Sequence, residues 1–419
     1  MPDPTSNPTP SSTPSPTTEQ LKQQVADYVD SIADMLIQTS LTLHANPEIA
    51  FEEYESMALL ADLAEEYGFQ VQRGVAGLET AFLAQVEGKE PGPVIALLAE
   101  YDALPGLGHA CGHNIIGTAA TGAALAVQSV RDHIPGVIKL IGTPAEENGG
   151  GKAIMVERGI FENVDAAMMI HPGTRAMVAR GSIASNTVTL EFFGKASHAA
   201  AAPDAGINAL EACIQTFNSI NALRPHLPPD VRIHGIITHG GTAVNVVPEY
   251  AAARFSVRAT QSDFSFQVVD KVVRCAQAAA SAMGATVSVT HERHYANRIP
   301  NRVMADLFAE NISSLGELVE EPEPNQRRGS SDMGNVSQIL PAIHPYVTIA
   351  EPGVGGHTPE FAAAAASDWG NQALIRGAKA LAMTAVDLFT QPTLLAEAKA
   401  EFARTVNPDA AWRKMRFFE

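Results

Sequence analysis

The stretch PVIALLAEYDALPGLGHACGHNIIG, residues 93–117, restricts the possible folds more than any other part of this chain. Its apolar run, Val94 to Leu98, reads as a buried strand that stops at Glu100 and Asp102. Cys111 and His113 follow, two residues apart in a glycine-lined loop, and the small apolar run TAATGAALAV then reads as a helix packed tightly on a sheet. A thiolate and an imidazole so spaced beyond a strand's carboxyl end can ligate one metal ion or two neighbouring ones, and Asp102 stands where it can orient a ligand. Taken alone, the pair fits a buried cysteine beside a satisfied loop histidine equally well, because Cys-x-His lacks the redundancy of a paired zinc motif.

The flanking sequence repeats this strand-to-helix pattern. Thr17 and Gln20 offer a capping box, and Leu21, Val25, Tyr28, Val29, Ile32 and Leu36 predict one long amphipathic helix running towards His44. A second helix is expected from about Tyr54 to Gly68, strands at ETAFLAQV and GVIKLIG, and a further strand at DAAMMIHPG that ends at His171. Such alternation predicts an α/β fold, a mostly parallel sheet flanked by helices, with polar residues gathered at the strand ends. From Gly181 the order becomes strand, helix, strand, strand, helix, strand, that of a ferredoxin-like α+β module of about 110 residues inserted into the larger domain. The expected division is a disordered Pro/Ser/Thr-rich tail over 1–19, the larger domain over 20–180 and 296–419, and the inserted lid over 181–295.

Composition narrows the partners. A formal net charge of -18 argues against nucleic acid or an anionic membrane and is compatible with a cationic substrate. No stretch approaches the ~18 uninterrupted apolar residues of a membrane span. Three cysteines, Cys111, Cys213 and Cys275, make no disulfide framework, which points to a reducing cytoplasm, and the last two sit in apolar helical patterns.

Further ligand-type residues fall at other strand ends. Glu146 and Glu147 follow GVIKLIG, His171 ends the next strand, and His357 lies in the glycine-rich GVGGHTPEF. Each alone is an ordinary surface or capping residue, but a parallel sheet brings such loops to one edge, which is how a dinuclear metal centre is assembled from distant sequence. Two ions about 3.5–4 Å apart polarise an amide carbonyl and acidify a shared water, leaving only a base to move its proton. Adjacent glutamates project differently, so one can ligate while the other serves as base. GSSDMG has the wrong spacing for a nucleophile elbow, and GGGKA lacks the upstream glycine and Ser/Thr of a P-loop.

Taken in order, GHACGHNIIG, GTPAEENGGGKA, IHPG, GKASHAAAAPDAGINAL, NVVPEY and GSSDMGNVSQ resemble the dinuclear metallopeptidase family of carboxypeptidase G, aminoacylase and the hippurate and indoleacetyl-amino-acid amidohydrolases. The similarity spans about Leu21 to Phe389. Asn114 after CGH, and GSSDMGNVSQ followed by HPYVTI, resemble the branch of β-alanyl-lysine (Xaa-Arg) dipeptidase and p-aminobenzoyl-glutamate hydrolase.

The resemblance implies roles residue by residue. Cys111 takes the place of a bridging ligand, His113, Glu147, His171 and His357 those of terminal ligands, Glu146 that of the general base, and Asp102 that of an aspartate orienting a ligand. His198 of GKASHAA matches a lid histidine that reaches the partner subunit's site, and Asn245 matches an asparagine contacting substrate. Arg327 or Arg328 could hold the substrate carboxylate. The implied cofactors are two divalent ions, zinc first because of the thiolate, with manganese or cobalt tolerated. The implied activity is amide hydrolysis of a dipeptide or amino-acid conjugate, an Xaa-basic or β-alanyl-lysine-type dipeptide being favoured, by a homodimer paired through the lid. N-acyl or aminobenzoyl amidohydrolysis shares the chemistry and differs only in the pocket. A non-catalytic binding descendant is the remaining alternative, disfavoured because a binding module has no use for Glu146 beside every ligand position.

Overall fold

The computed structural model describes residues 15–323 and 328–414. The N-terminal part of the expected tail, residues 1–14, lies outside these, as does Arg327. From Thr17 the chain is already part of the fold: its side chain accepts from Gln20 N and the Gln20 side chain accepts from Thr17 N, closing the capping box on helix Thr18–Ser31. The long helix expected to follow is two helices. Ile32, at φ -110° and ψ 9°, breaks the run, and Ala33–Ala45 follows as a separate helix. The apolar spacing could not show this, because both helices pack on the central helix His113–Ser129 and so keep the same helical period.

A six-stranded sheet forms the larger body, in spatial order Gln70–Arg73, Phe82–Glu87, Val137–Gly142, Val94–Ala99, Ala166–Met168 and Ala342–Ile343. The last four strands run parallel and the first two antiparallel. Val94–Ala99 is central and buried on both faces, with Leu97 in one apolar cluster and Leu98 in another. Each such leucine contributes about 1.5–3 kcal/mol of burial free energy. Helices Thr18–Ser31, Ala33–Ala45 and Asp368–Thr390 pack on helix His113–Ser129, whose small residues allow that close contact.

His171 does not end the strand before it, as the sequence suggested. Ala166–Met168 stops first, and His171–Gly173 pairs in parallel with Tyr346–Thr348 in a separate two-stranded ribbon. The partner segment is divided in the same way, Ala342–Ile343 lying in the large sheet and Tyr346–Thr348 in the ribbon. These runs change sheets where their paired partners do.

Between Ala184 and Tyr295 lies an antiparallel sheet ordered Thr286–Tyr295, Ala184–Phe193, Tyr250–Ala259, Arg232–His239, with helices Ala209–Leu223 and Ser262–Met283 on one face. Chain order and spatial order are those of a ferredoxin-like module. Val188, Leu190, Phe192, Phe255 and Val257 fill its own core against Ile220, Val268 and Val272, and Cys213 is buried among them. No helix among the described residues is long and apolar enough to cross a membrane.

Candidate metal centre

The carboxyl ends of the parallel strands converge on one cavity of about 1040 Å³ between the large sheet and the bare face of the inserted one. Cys111, Glu146, Glu147, His171 and His357 line it. Gly112 caps helix His113–Ser129 in the left-handed region, φ 77°, and a Cβ there would strike the Pro172 ring at 2.6 Å, so the Cys111–His113 loop can lie directly on the His171–Pro172 segment only with glycine between.

Potential ligand atoms of Cys111, His113 and His171 lie within 4.8 Å of one another, and so do those of Cys111, Glu147 and His357, two triads that share the thiol. Cys111 Sγ is 3.5 Å from His171 Nε2, and His357 Nε2 is 3.3 Å from Glu147 Oε1. Asp102 lies behind them, fully enclosed. One of its oxygens meets His113 Nδ1 at 2.9 Å and the other accepts from Glu147 N at 2.9 Å, so a single carboxylate fixes two ligand-type residues and turns His113 Nε2 inward. That Nε2 makes no hydrogen bond among the described residues, although Glu100 Oε2 is 3.4 Å away.

The electrostatics fit a cation. Burial, followed by Glu147, pushes the Cys111 thiol up, and burial with Glu100 and Glu147 nearby holds the Glu146 carboxyl well above the usual carboxylate range. Burial lowers His171 to about 4, keeping its imidazole neutral and able to donate a lone pair. A divalent ion offsets the crowded negative charge and favours the thiolate. The donor set of sulfur, imidazole and carboxylate suits zinc-like ions.

Of the other residues singled out in the sequence, His198 and Asn245 are exposed on the inserted module and do not line the cavity. Their loops are joined, Ala199 N donating to Asn245 O at 3.0 Å. Arg328 is half-buried beside Gly181 and is likewise absent from the cavity wall.

Several buried residues at or behind the cavity wall escape a reading of the sequence. Lys152 is fully buried, its Nζ 2.7 Å from Glu100 Oε1 and 2.6 Å from Asp332 Oδ1, and its backbone N donates to Asp332 Oδ2 at 2.8 Å. In sequence, GGGKA and GSSDMG are only failed nucleotide and nucleophile motifs, and the pairing of their charged residues is a tertiary fact. His344, immediately after strand Ala342–Ile343, is buried with its ring 5.0 Å from that of His171. A histidine directly after a strand is the signal that could have found it. Arg298, at the cavity wall, is 4% exposed, donates from Nη2 to Arg180 O at 2.9 Å, and has Nε and Nη1 without hydrogen-bond partners among the described residues.

Residues 96–385 match the sequence profile of Peptidase family M20/M25/M40. The chain is 39% identical to Xaa-Arg dipeptidase of Mus musculus, covering 91% of this chain and 92% of that protein. It is 30% identical to one subunit of the p-aminobenzoyl-glutamate hydrolase of Escherichia coli (strain K12), with the same two coverages, 91% and 92%. Among solved structures, a dinuclear metal binding peptidase of the M20 family from Bacillus subtilis superposes with a TM-score of 0.66 at 23% identity, over 86% of this chain and 99% of that one.

Proposed function

Because the chain belongs to Peptidase family M20/M25/M40, a family of peptide- and amide-bond hydrolases, we propose that the cavity hydrolyses the amide bond of a dipeptide or amino-acid conjugate with a free carboxylate. The observation that carries this reading is the pair of ligand triads sharing Cys111, with Glu146 at their edge. Cys111, shared by the two triads, would hold both ions, and His113, Glu147, His171 and His357 would supply the remaining protein ligands. Two divalent ions, zinc first, supply Lewis acidity and a water of lowered pKa when bound. Asp102 orients His113 and the Glu147 peptide. Glu146 takes the proton from the attacking water and returns it to the departing amine, a task suited to a carboxyl whose pKa is raised by burial. Arg298, with two donor positions that make no hydrogen bond among the described residues, holds the substrate carboxylate, the role for which the family resemblance offered Arg327 or Arg328.

The similarity to Xaa-Arg dipeptidase supports a basic leaving amino acid. A second reading, hydrolysis of an aminobenzoyl or N-acyl amino acid with an acidic leaving group, is favoured by Arg258 and Arg293 on the cavity-facing side of the inserted sheet. We place the enzyme in the cytoplasm and read it as a homodimer. His198 and Asn245 stand outside their own cavity, which suits loops that complete a neighbouring subunit's site.

The test is a panel of β-alanyl-lysine, Xaa-Arg dipeptides, aminobenzoyl-glutamate and N-acetyl amino acids, given to metal-loaded and chelated protein. Hydrolysis that is lost on chelation and restored by zinc or manganese is expected. Equal hydrolysis by metal-free protein would sink the metal chemistry, and aminobenzoyl-glutamate outpacing every dipeptide would select the second reading.

A further inference from the structure

The turn over residues 46–54 lies far back in the sequence from the Glu146–Glu147 loop but is built against it. Its Glu48 carboxylate caps helix Tyr54–Glu66, accepting from Glu55 N at 3.1 Å and from Ser56 N and Ser56 Oγ, both at 2.7 Å. Glu48 O in turn accepts from Ala103 N at 2.7 Å, which ties the turn to the Asp102 segment. Two residues of the turn then reach the glutamate loop. Phe51, itself at φ 63°, lays its ring against Gly149, where a Cβ would come within 2.4 Å of the ring. Glu53 is completely buried, and its carboxylate has two partners: Thr80 Oγ1 donates to Oε2 at 2.9 Å, and the peptide N–H of Ala145 donates to Oε1 at 2.8 Å.

Ala145 is the residue immediately before Glu146. It is buried and sits at φ 60°, a left-handed conformation that a residue with a Cβ adopts only when its surroundings impose it. Its N–H goes to Glu53 and its carbonyl accepts from Gly150 N at 2.8 Å. Of these two restraints, only the Glu53 bond comes from outside the loop. This strained peptide sets how the chain enters Glu146, while farther along the Tyr295 hydroxyl donates to Glu146 O at 2.8 Å and Glu147 N donates to Asp102 at 2.9 Å.

We propose that Glu53 is a positioning residue for hydrolysis: it holds the Ala145 peptide in its left-handed conformation and thereby aims Glu146 and Glu147. This rests on the reading of Glu146 as general base. Glu53 touches neither substrate nor ligand, and a displacement of about 1 Å at the base can cost about 10²-fold in turnover.

The experiment compares Glu53→Ala, Glu53→Gln, Glu53→Asp, Ala145→Gly and Glu53→Ala/Ala145→Gly in the full metal-loaded chain, with kcat, KM, bound metal and circular dichroism read for each. Glu53→Ala is expected to lose about ten-fold or more in kcat with KM little changed. Glu53→Gln keeps an oxygen acceptor for the Ala145 N–H and is expected within about three-fold of wild type. Ala145→Gly removes the Cβ penalty and should recover part of the loss in the double variant. If Glu53→Ala does not fold, Glu53→Asp, which keeps the charge but shortens the reach, should still show the kcat loss. A folded Glu53→Ala or Glu53→Asp with wild-type kcat overturns the proposal, as does Glu53→Gln falling as far as Glu53→Ala. Glu146→Gln separates the two readings: if it too keeps wild-type kcat, the base assignment fails first, whereas if it is inactive beside a fully active Glu53→Ala, only the positioning role fails.

Discussion

Asp102→Asn should weaken metal binding by an amount that follows from two hydrogen bonds. The Asp102 carboxylate is buried and uses one oxygen for His113 Nδ1 and the other for Glu147 N, each at 2.9 Å. Asparagine has a single acceptor oxygen, and its amide nitrogen must then face one of those donors. A buried donor left without an acceptor costs about 1–3 kcal/mol. Losing an outer partner of a metal ligand typically costs about 10–100-fold in affinity, which is about 1.4–2.7 kcal/mol. The two figures agree, so about one to two decades of lost affinity is expected for Asp102→Asn, and more for Asp102→Ala, which orphans both donors. The measurement is a competitive chelator titration of zinc into apo-protein, with circular dichroism to show that each variant folds. A folded Asp102→Asn protein binding zinc within about three-fold of wild type would refute the reasoning, because neither bond could then be orienting a ligand.

Three other outcomes are expected. Glu146→Gln should keep its metal content while turnover falls by roughly 10²-fold or more; near-normal turnover would mean that Glu146 and Glu147 exchange roles. His198→Ala and Glu146→Gln homodimers should each be nearly inactive, and re-assembled mixed dimers, identified by differential tags, should regain activity at one site; mixed dimers without activity would show that His198 does not serve the partner subunit. His294 of the inserted module is buried, which lowers its pKa to about 3 from 6.5. Between those values the unfolded chain binds a proton that the folded chain does not, so this contribution to stability is intact above about pH 6.5 and declines on acidification by at most about 1.4 kcal/mol per pH unit. Thermal unfolding from pH 7 to pH 5 should therefore be less pH-dependent in His294→Gln than in wild type, and parallel slopes would remove His294 from the account.

The alternation of strand and helix, and the residue types at each strand end, are written in the order of the amino acids, because burial on both faces of a parallel strand forces a continuous apolar run that must stop where the polar site begins. Cys111, His113, Glu147, His171 and His357, which the fold gathers, were singled out in this way, and the order of strands and helices along the inserted module was legible from its change of period. Whatever depends on which surfaces meet was not. Packing broke the first helix at Ile32 and moved His171 into a second ribbon. It brought Lys152 between Glu100 and Asp332, turned Arg298 into the cavity wall, and set Glu53 against the Ala145 peptide. A charged residue in a loop carries the same local signal whether it is solvated or buried. Only the contacts of the folded chain remove the water, and with it the freedom of these side chains to point elsewhere.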